Sequence, residues 1–581
     1  MPDVNPSLAL ATVVVDELIR HGVRDVVLAP GSRSAPLAYA VDAAAREGRL
    51  RLHVRVDERS AGYLALGMAK VTRVPVPVIT TSGTAVANLH PSVLEAAHAS
   101  VPMLLLTADR PPDLRGVGAN QATDQVGVFG GATRWFHEFG VPERRVGQNG
   151  MWRSIVGRAV AESTGMPAGD AGPVHLNVPL REPLVPTEDE PEWPESLDGR
   201  PRGETWLSLR NPLSHKQSVV SGPVIAPVPR TLVVLGDLPD PAQAAQLSAL
   251  ADAAGWPVMA EPFGQYHRGR ATPHGALILR AEDWLAAHLP ERVLVGGRLT
   301  LDRRVAALLR HPDVEVEIVT PGTSWPDPGH VVSRVHRWED IERSHTAVSS
   351  CVDRAWGAAW RTAGGVIGRA VGPVVEASWP SGPAVARTIA HAMPENSGLY
   401  VGPSNAVRDL DLSRDPHLIA KGVVSVGNRG LAGIDGVVSS AIGMALSRPG
   451  APAYALMGDL TFLHDVNGLL VGEGETRPDL TIVLVNDDGG GIFGTLEPGQ
   501  KGLSEPFERI FGTPTGVDFE QVCAARGVPY ELVGDQATLK ERIANPGKGI
   551  RVLEVKVPRT GQRELLELMG RTAADALKDS A

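Results

Sequence analysis

The amino-acid sequence predicts an α/β protein made of three doubly wound parallel-sheet domains. Three observations lead to this fold class. The chain has 581 residues, which is enough for three or four domains of ordinary size. Short apolar runs rich in valine, isoleucine and leucine alternate with segments of helical periodicity, a pattern typical of parallel sheets covered by helices. This alternation starts afresh near residues 231 and 373.

The first predicted domain covers residues 1–185. We expect strands at residues 25–29, 50–56, 76–80, 101–107 and 172–178, and helices at 8–21, 34–47, 58–72 and 84–97. Ligands of such sheets bind outside the carboxyl ends of the strands. The loops that follow these strands are therefore the places where functional residues are expected.

A polar, proline-rich stretch at residues 186–229 has little periodicity and is predicted to be a linker or surface crossing. A central domain at 230–372 follows, and a third domain occupies 373–581. Their predicted strands are 231–236, 257–261, 292–296 and 314–319, and then 398–401, 453–457, 480–485 and 550–557. No G-x-G-x-x-G follows the first central strand, which gives a dinucleotide site there little support.

Composition excludes several classes of protein. The chain has 66 acidic and 56 basic residues, which argues against nucleic acid held by bulk positive charge. Its two cysteines, Cys351 and Cys523, exclude a disulfide framework and a zinc site with several thiolates. The sequence contains no apolar run of about 20 residues, and its start does not resemble a secretory signal. We expect a cytoplasmic protein without an integral membrane segment.

Two aspartates follow neighbouring predicted strands in the third domain. Asp459 comes directly after the strand at 453–457, and Asp487 follows the strand at 480–485 before a glycine-rich turn. Oxygen ligands at one sheet edge, beside glycines and helix starts, suit a Mg²⁺ ion that binds a diphosphate. The alternative is that both carboxylates only cap turns and helices.

This spacing of a Gly-Asp pair, an Asn/Asp pair and glycines resembles the signature of thiamin-diphosphate enzymes. The resemblance implies a pyrimidine-binding, a central and a diphosphate-binding domain, with thiamin diphosphate and Mg²⁺ (or Mn²⁺) as cofactors. It places the metal on Asp459, Asp487 and the Gly489 carbonyl, with Gly458 and Leu460 beside the cofactor. The sequence departs from the signature at Leu460, usually glycine, and at Asp487, usually asparagine. The extra carboxylate should bind the cation at least as well as asparagine does, but it also repels the diphosphate.

The first domain contains the matching half of such a site. The predicted strand at 50–56 ends at Asp57-Glu58-Arg59, and Glu58 resembles the family's activating glutamate. A carboxyl group that shares a proton with N1′ of the aminopyrimidine stabilises the imino form of the cofactor, which removes the C2 proton. The alternative is an acidic residue favoured at a helix N-terminus by the dipole.

Three further segments, at residues 29–37, 108–121 and 428–436, resemble one branch of this family, which works in menaquinone biosynthesis. The implied reaction is decarboxylation of 2-oxoglutarate, with CO₂ released, and 1,4-addition of the remaining four-carbon unit to isochorismate. Both substrates are dianions, and guanidinium groups suit four carboxylates. The implied substrate-binding residues are Ser32, Arg33, Arg110, Arg303, Ser404, Arg408 and Arg429. Gln121 matches a catalytic position near the reacting centre.

Apolar residues complete the implied site. Ile434 matches the residue that holds the cofactor in a bent conformation, and Ile492, Phe493 and Leu496 match an apolar wall. Plain core packing is the alternative for all four. In this family the cofactor lies at a subunit interface, with Glu58 from one chain and the metal-binding half from another. The resemblance therefore implies a homodimer or homotetramer.

Two other interpretations stay open. Acetohydroxyacid synthases and 2-oxoacid decarboxylases use the same cofactor but tend to have neutral or histidine-bearing pockets, whereas this chain offers arginines. A non-catalytic nucleotide- or flavin-binding protein could use the same α/β scaffolds.

Overall fold

A computed structural model describes residues 5–167, 169–187, 191–208, 225–265, 271–349, 353–500 and 504–579. Much of the predicted linker at 186–229 lies outside these residues, as does Cys351. The chain divides into two compact units. The first consists of Met1–Ser218, Gly430–Ser447 and Asp465–Arg477, and the second of Val219–Arg429, Arg448–His464 and Pro478–Ala581. The domain limits at 185, 229 and 372 stay predictions.

The first unit contains a six-stranded sheet in which every pairing is parallel, in the order β2-β1-β3-β4-β6-β5. Its strands are β1 (Asp25–Leu28), β2 (Arg51–Val54), β3 (Val76–Thr80), β4 (Met103–Asp109), β5 (Trp135–Glu138) and β6 (Pro173–Pro179). The helices of this region are α1 (Pro6–Arg20), α2 (Ala35–Arg46), α3 (Glu58–Thr72), α4 (Thr84–Ala87), α5 (His90–His98) and α6 (Gln148–Ser163). The sheet confirms the predicted fold class for this region.

Two details differ from the sequence prediction. The helix expected at residues 84–97 is divided into α4 and α5, because Pro91 lies in the first turn of α5 and cannot donate a hydrogen bond to a continuing helix. Strand β5 was not predicted. All four of its residues are only half-buried at the sheet edge, so it lacks the apolar run that marks the central strands.

The second unit contains two further sheets. One has the order β12-β11-β10-β7-β8 and is parallel throughout. The other has the order β17-β18-β16-β15-β13-β14-β9 and is parallel except at its edge, where β9 pairs antiparallel with β14. The three parallel-sheet domains predicted from the sequence are thereby confirmed, with one antiparallel edge added.

The strands of the two sheets are β7 (Thr231–Leu235), β8 (Val258–Ala260), β9 (Gly264–Gln265), β10 (Arg292–Gly296), β11 (Glu315–Thr320), β12 (Val332–Arg337), β13 (Gly398–Val401), β14 (Val424–Val426), β15 (Ala453–Gly458), β16 (Leu480–Asn486), β17 (Tyr530–Leu532) and β18 (Ile550–Lys556). The helices up to the third sheet are α7 (Gln243–Ala254), α8 (Gly275–Ile278), α9 (Glu282–Ala287), α10 (Arg303–Leu309), α11 (Asp340–Val348) and α12 (Arg354–Ala377). The predicted domain limit at residue 372 lies within α12.

The helices of the third region are α13 (Gly382–Ala392), α14 (Asn405–Ser413), α15 (Val437–Leu446), α16 (Asp459–His464), α17 (Gly491–Thr495), α18 (Ser504–Phe507), α19 (Phe519–Ala524), α20 (Gln536–Ala544) and α21 (Gln562–Lys578). Within the described ranges, none of the helices has both the length and the apolar character needed to cross a membrane.

Helix α15 belongs to the first unit, where it packs closely against α3. A Cβ atom at Gly67 would lie 2.0 Å from the Ser440 carbonyl oxygen, and one at Gly443 would lie 2.2 Å from the Leu64 carbonyl oxygen. The two helix backbones approach each other because glycines face the contact from both sides. This contact fixes the helix that begins at Glu58.

Gly67→Ala is expected to destabilise the first unit by at least about 2 kcal/mol, because a methyl group must push α15 away from α3. Gly140→Ala is the matched control, since a Cβ there would meet nothing within 4 Å. Denaturant unfolding of both variants tests the effect. Equal stability of the two would show that the helices can separate without cost.

The core between β4 and β6 contains a buried histidine. His175 Nε2 lies 2.7 Å from Thr107 Oγ1, and its ring packs against Phe129 and Phe136 at centroid distances of 4.9 and 5.1 Å. Burial lowers the pKa of His175 from its ordinary value of 6.5 to about 3. The folded chain therefore holds this ring in its neutral form.

A pH-dependent loss of stability follows from the buried ring. Because the folded pKa lies below the unfolded one, the stability is present above pH 6.5 and is lost as the pH falls below it. Between pH 7.5 and 5.0 the wild type is expected to lose about 2 kcal/mol more than His175→Gln. Denaturant unfolding of both proteins at the two pH values measures this difference. The same pH dependence in both would show that His175 is not buried as a neutral ring.

Candidate active site

Glu58 is the first residue of α3 and lies just beyond the end of β2. Asp57 caps the helix, because its Oδ1 accepts hydrogen bonds from the backbone nitrogens of Arg59 and Ser60 at 2.9 and 3.2 Å. Asn467 Nδ2 donates to the other oxygen of Asp57 at 3.0 Å. The cap fixes the helix start, and with it the place of the half-buried Glu58.

A second polar contact holds the same end of α3. Asp465 is fully buried and accepts hydrogen bonds from the Ser439 backbone nitrogen at 2.6 Å, from Ser439 Oγ at 3.1 Å and from Ser60 Oγ at 3.2 Å. Burial raises the pKa of Asp465 to about 6. No local sequence pattern marks this aspartate, because its partners lie far away in the chain.

Arg33 follows β1 and is buried, while its neighbour Ser32 is exposed. Arg33 Nη1 donates to the Leu180 carbonyl oxygen at 2.9 Å, and its Nε has no hydrogen-bond partner among the described residues. Burial and the nearby charge of Arg110 lower the pKa of Arg33. A buried guanidinium with an unpaired nitrogen and a second positive charge nearby is suited to bind an anion.

Arg110, at the end of β4, contacts the loop that contains Gln121. Its Nη1 donates to Ser82 Oγ at 2.7 Å and its Nη2 donates to the Asn120 carbonyl oxygen at 2.8 Å. Ser82 in turn donates to the Gln121 carbonyl oxygen at 2.8 Å, and Gln121 Nε2 donates to the Ser82 carbonyl oxygen at 3.1 Å. In this arrangement Arg110 fixes the loop that carries Gln121, which itself has a left-handed backbone with φ of 54°.

Ile434, also in the first unit, is half-buried. Asp435 beside it accepts a hydrogen bond from the Tyr63 hydroxyl. A Cβ atom at Gly436 would overlap the Tyr63 ring, at 1.8 Å from the nearest atom. The turn that carries Ile434 is therefore fixed against α3.

In the second unit, three of the predicted arginines lie near one another. Burial and the nearby charges of Arg429 and Arg303 lower the pKa of Arg408, while Asp409 and Glu261 oppose this shift. Arg408 Nη1 donates to the Ser404 carbonyl oxygen at 2.8 Å, one turn earlier at the start of α14. Like charges gathered in this way favour an anionic ligand, whose carboxylates would offset their repulsion.

The two aspartates of the predicted metal site also lie in the second unit. Asp459 begins α16 directly after β15, is 2% exposed, and its Oδ2 accepts a hydrogen bond from the Gly489 backbone nitrogen at 2.7 Å. Asp487 Oδ2 accepts from Gln562 Nε2 at 3.2 Å. Burial and the charge of Asp487 raise the pKa of Asp459 to about 7, and burial also raises the pKa of Asp487.

The glycine-rich turn lies very close to its neighbours, so no side chain fits there. Gly489 has φ of 141°, and a Cβ atom there would lie 1.9 Å from the Gly512 carbonyl oxygen. A Cβ atom at Gly491 would lie 1.9 Å from Asp487 Oδ2. Only glycine fits these positions, so the backbone comes close to the carboxylates and to any ligand they bind.

The short helix α17 carries Ile492 and Phe493 of the predicted apolar wall, and Leu496 follows directly after its end. Phe493 is 36% exposed and its ring lies 5.4 Å from that of Phe511, while Ile492 and Leu496 are half-buried. All three side chains thus keep surface that a ligand could cover.

Comparison with known proteins agrees with this geometry. Residues 8–128 match the family described as thiamine pyrophosphate enzyme, N-terminal TPP binding domain, and residues 416–555 match its C-terminal TPP binding domain. A 2-succinyl-5-enolpyruvyl-6-hydroxy-3-cyclohexene-1-carboxylate synthase of Saccharopolyspora erythraea is 46% identical over 99% of this chain and 100% of its own length. The chain belongs to this synthase family.

Other synthases of the same name are similarly close. The protein of Rhodococcus erythropolis is 44% identical over 97% of this chain and 98% of its own length. That of Thermobifida fusca is 43% identical over 99% of this chain and 100% of its own length. As a member of the synthase family, the chain is a thiamin-dependent transferase with thiamin-diphosphate-binding domains at both ends of its sequence.

The residues present fit the cofactor and cation of a thiamin-dependent synthase. The buried Asp459 and the half-buried Asp487 repel each other, and a divalent cation bound by both would offset this repulsion. No cluster of three or more histidine, cysteine or acidic side chains suited to a metal occurs among the described residues. Two carboxylates suit Mg²⁺, which takes its remaining oxygen ligands from phosphates, carbonyls and water.

The predicted site residues of the synthase divide between the two compact units. The first unit holds Ser32, Arg33, Glu58, Arg110, Gln121 and Ile434, and the second holds Arg303, Ser404, Arg408, Arg429, Gly458, Asp459, Leu460, Asp487, Gly489, Ile492, Phe493 and Leu496. No sequence motif singled out Ser82 or Asp465. Ser82 comes shortly after the end of β3, and this position at a strand end could have marked it as a candidate site residue.

Proposed function

We propose that this chain catalyses the decarboxylation of 2-oxoglutarate and the 1,4-addition of the remaining four-carbon unit to isochorismate. The product is 2-succinyl-5-enolpyruvyl-6-hydroxy-3-cyclohexene-1-carboxylate, CO₂ is released, and the reaction is a step of menaquinone biosynthesis in the cytoplasm. The observation that carries the proposal is the similarity over nearly the whole chain to synthases named for this product. The arginines of both units support it, because the two substrates bring four carboxylates.

The proposed metal ligands are Asp459, Asp487 and the carbonyl oxygen of Gly489, and the proposed ion is Mg²⁺ or Mn²⁺. These residues would hold the ion and the diphosphate of thiamin diphosphate, whose thiazolium would supply the electron sink for decarboxylation. Glu58 holds a proton at N1′ of the pyrimidine ring, and the cap of α3 keeps its carboxyl in place. Ile434 and the side chains of α17 supply apolar surface that excludes water from the reacting atoms.

Substrate recognition is assigned to guanidinium groups in both units. Arg33 offers an unpaired nitrogen, and Arg408 and Arg429 lie within reach of each other's charge. Arg110 fixes the loop of Gln121, whose amide can donate to a substrate oxygen near the reacting centre. Planar guanidinium groups bind carboxylates in a bidentate manner, which positions two like-charged substrates in succession.

We further propose that the two half-sites are completed in a homodimer or a homotetramer. One subunit contributes Glu58 and its neighbours, and another contributes the metal-binding carboxylates. The division of the candidate residues between two compact units supports this arrangement. The other proposed partners are small molecules alone, with no nucleic acid.

The direct test is to incubate the protein with thiamin diphosphate, Mg²⁺ and 2-oxoglutarate, with and without isochorismate. Mass spectrometry should detect the carboxylate product only when isochorismate is present. A 2-oxoacid decarboxylase would consume 2-oxoglutarate equally well without it, and a non-catalytic binding protein would consume neither substrate. Either result would contradict the proposed function.

A further inference from the structure

A buried glutamate of the central region holds the turn that follows β10. Glu261 comes directly after β8 and is 8% exposed. Its Oε1 accepts hydrogen bonds from the backbone nitrogens of Thr300 and Leu301 at 2.7 and 2.9 Å, and its Oε2 accepts from Thr300 Oγ1 at 3.4 Å. One carboxylate thus fixes both the backbone and the side chain of Thr300.

Thr300 connects this carboxylate to Arg429. Arg429 is 3% exposed, and its Nη2 donates a hydrogen bond to Thr300 Oγ1. The hydroxyl accepts from the arginine and donates to Glu261, so the three groups form one directed chain of hydrogen bonds. Chains of this kind polarise their members and orient the first donor.

Phe263, two residues after Glu261, contacts the Arg429 guanidinium group. The Arg429 guanidinium carbon lies 5.6 Å from the centroid of the Phe263 ring. Phe263 is buried in the core of the third sheet, and the following residues Gly264–Gln265 pair with β14 as strand β9. Arg429 is therefore placed between Thr300 and Phe263, while its Nε has no partner among the described residues.

We propose that Glu261 is a positioning residue for substrate: through Thr300 it orients the Arg429 guanidinium toward a substrate carboxylate. This inference rests on the proposed function, in which Arg429 binds one of the two dicarboxylate substrates. Bidentate binding requires the guanidinium plane to be aligned with the carboxylate, and an arginine without lateral contacts would lose this alignment.

The surroundings of Glu261 disfavour its ionised form. Burial and the nearby charge of Asp411 raise the pKa of Glu261 to about 8, while Arg429 opposes this shift. The backbone donors of Thr300 and Leu301 also favour the carboxylate. The hydrogen-bond chain from Arg429 through Thr300 to Glu261 is that of the ionised carboxylate, and its effect is therefore measured above this pKa.

Two substitutions interrupt the hydrogen-bond chain at different links. Glu261→Gln keeps an oxygen for the two backbone donors but replaces the acceptor of the Thr300 hydroxyl with a donor. Thr300→Val keeps the shape of the side chain and removes the hydroxyl, whereas Thr300→Ser retains it. Asp327→Asn is the matched control, because Asp327 likewise accepts from two backbone nitrogens, those of Val331 and Val332.

Steady-state kinetics and calorimetric binding of 2-oxoglutarate and of isochorismate to the cofactor-loaded enzyme test the proposal, both measured at about pH 9, where the Glu261 carboxyl is ionised. In Glu261→Gln and Thr300→Val, the KM and Kd of at least one substrate should rise by about tenfold or more, with kcat within about threefold. Thr300→Ser should restore wild-type values, and Asp327→Asn should leave them unchanged. A general loss of structure would lower kcat and Tm as well and would not be restored by serine.

Failure of this inference can be told apart from failure of the proposed function. If the wild type forms the isochorismate-dependent product and both substitutions leave KM and Kd unchanged, Glu261 has no positioning role. If the wild type forms no such product, the proposed function fails. In that case calorimetry alone tests the positioning role. Weaker dicarboxylate binding in Thr300→Val, restored in Thr300→Ser, would support the role of Glu261. Equal binding in the wild type and both variants would overturn it.

Discussion

Glu58→Gln is expected to lower kcat by between about a hundredfold and ten-thousandfold, which is the usual contribution of a group that holds a proton at a reacting centre. Glutamine has nearly the same shape and keeps an oxygen in place, but it cannot share a proton with N1′ of the pyrimidine. Binding of thiamin diphosphate should change little, because the proposed ligands of the diphosphate and the metal are other residues. Turnover assays and calorimetric titration with the cofactor measure the two quantities separately.

The control for Glu58 addresses the helix-dipole alternative. Glu282 is the first residue of α9 and lies in its first turn, as Glu58 does in α3, but it is exposed. Glu282→Gln removes the same charge from a helix N-terminus and should leave kcat unchanged. If Glu58→Gln retained wild-type turnover, its role would be limited to the stability of α3.

The proposed subunit arrangement gives Glu58→Gln a second use. Two inactive variants, Glu58→Gln and Asp459→Asn, can be mixed under conditions that exchange subunits. If each site takes Glu58 from one chain and the metal ligands from another, a mixed dimer contains one intact site, and random mixing restores up to about a quarter of wild-type activity. If both halves of each site came from the same chain, mixing the two variants would restore no activity.

The central strands could be predicted because their burial is visible in the local sequence. Strands β3, β4 and β7 are buried along their whole length, and such strands appear as uninterrupted apolar runs. Strand β12 has mainly exposed or half-buried residues, and β9 has only two residues, so neither has a local apolar pattern. Their places are decided by the sheet edges they join, which are distant in the sequence.

The site could be predicted where a motif lies at a strand end. Glu58, Asp459 and Asp487 follow β2, β15 and β16, and the resemblance to thiamin-diphosphate enzymes assigned each a role. Glu261 also follows a strand but carries no motif, because its partners lie some forty residues later in the chain.

The packing around α3 was not predicted for a related reason. The sequence assigned residues 430–447 and 465–477 to the third domain, whereas in the structure they belong to the compact unit of α3. The contacts that bring them there include Asp465 with Ser60 and the close approach of Gly67 to Ser440. Such contacts depend on the tertiary fold, and glycine and serine positions give no periodic signal.

Asp459→Asn is expected to abolish metal-dependent binding of thiamin diphosphate, with the affinity for Mg²⁺ and cofactor lowered by about a hundredfold or more. The substitution keeps the size of the side chain and an oxygen that can accept from the Gly489 backbone nitrogen, but it removes a negative ligand. Calorimetric titration, and the rise in Tm on addition of cofactor and Mg²⁺, measure the loss. Asp488→Asn is the matched control, since Asp488 is exposed and caps the backbone nitrogens of Thr515 and Gly516.

The cofactor-free protein should respond in the opposite direction. Asp459 is almost fully buried near the charge of Asp487, so the neutral amide removes a repulsion that costs stability while no cation is present. The Tm of cofactor-free Asp459→Asn should therefore equal or exceed that of the wild type, although its cofactor-dependent rise is lost. If the aspartate only capped the turn, asparagine would preserve the cap and the cofactor-dependent rise would persist. If the substitution stabilises the cofactor-free protein and prevents cofactor binding, then Asp459 serves ligand binding and not the stability of the fold.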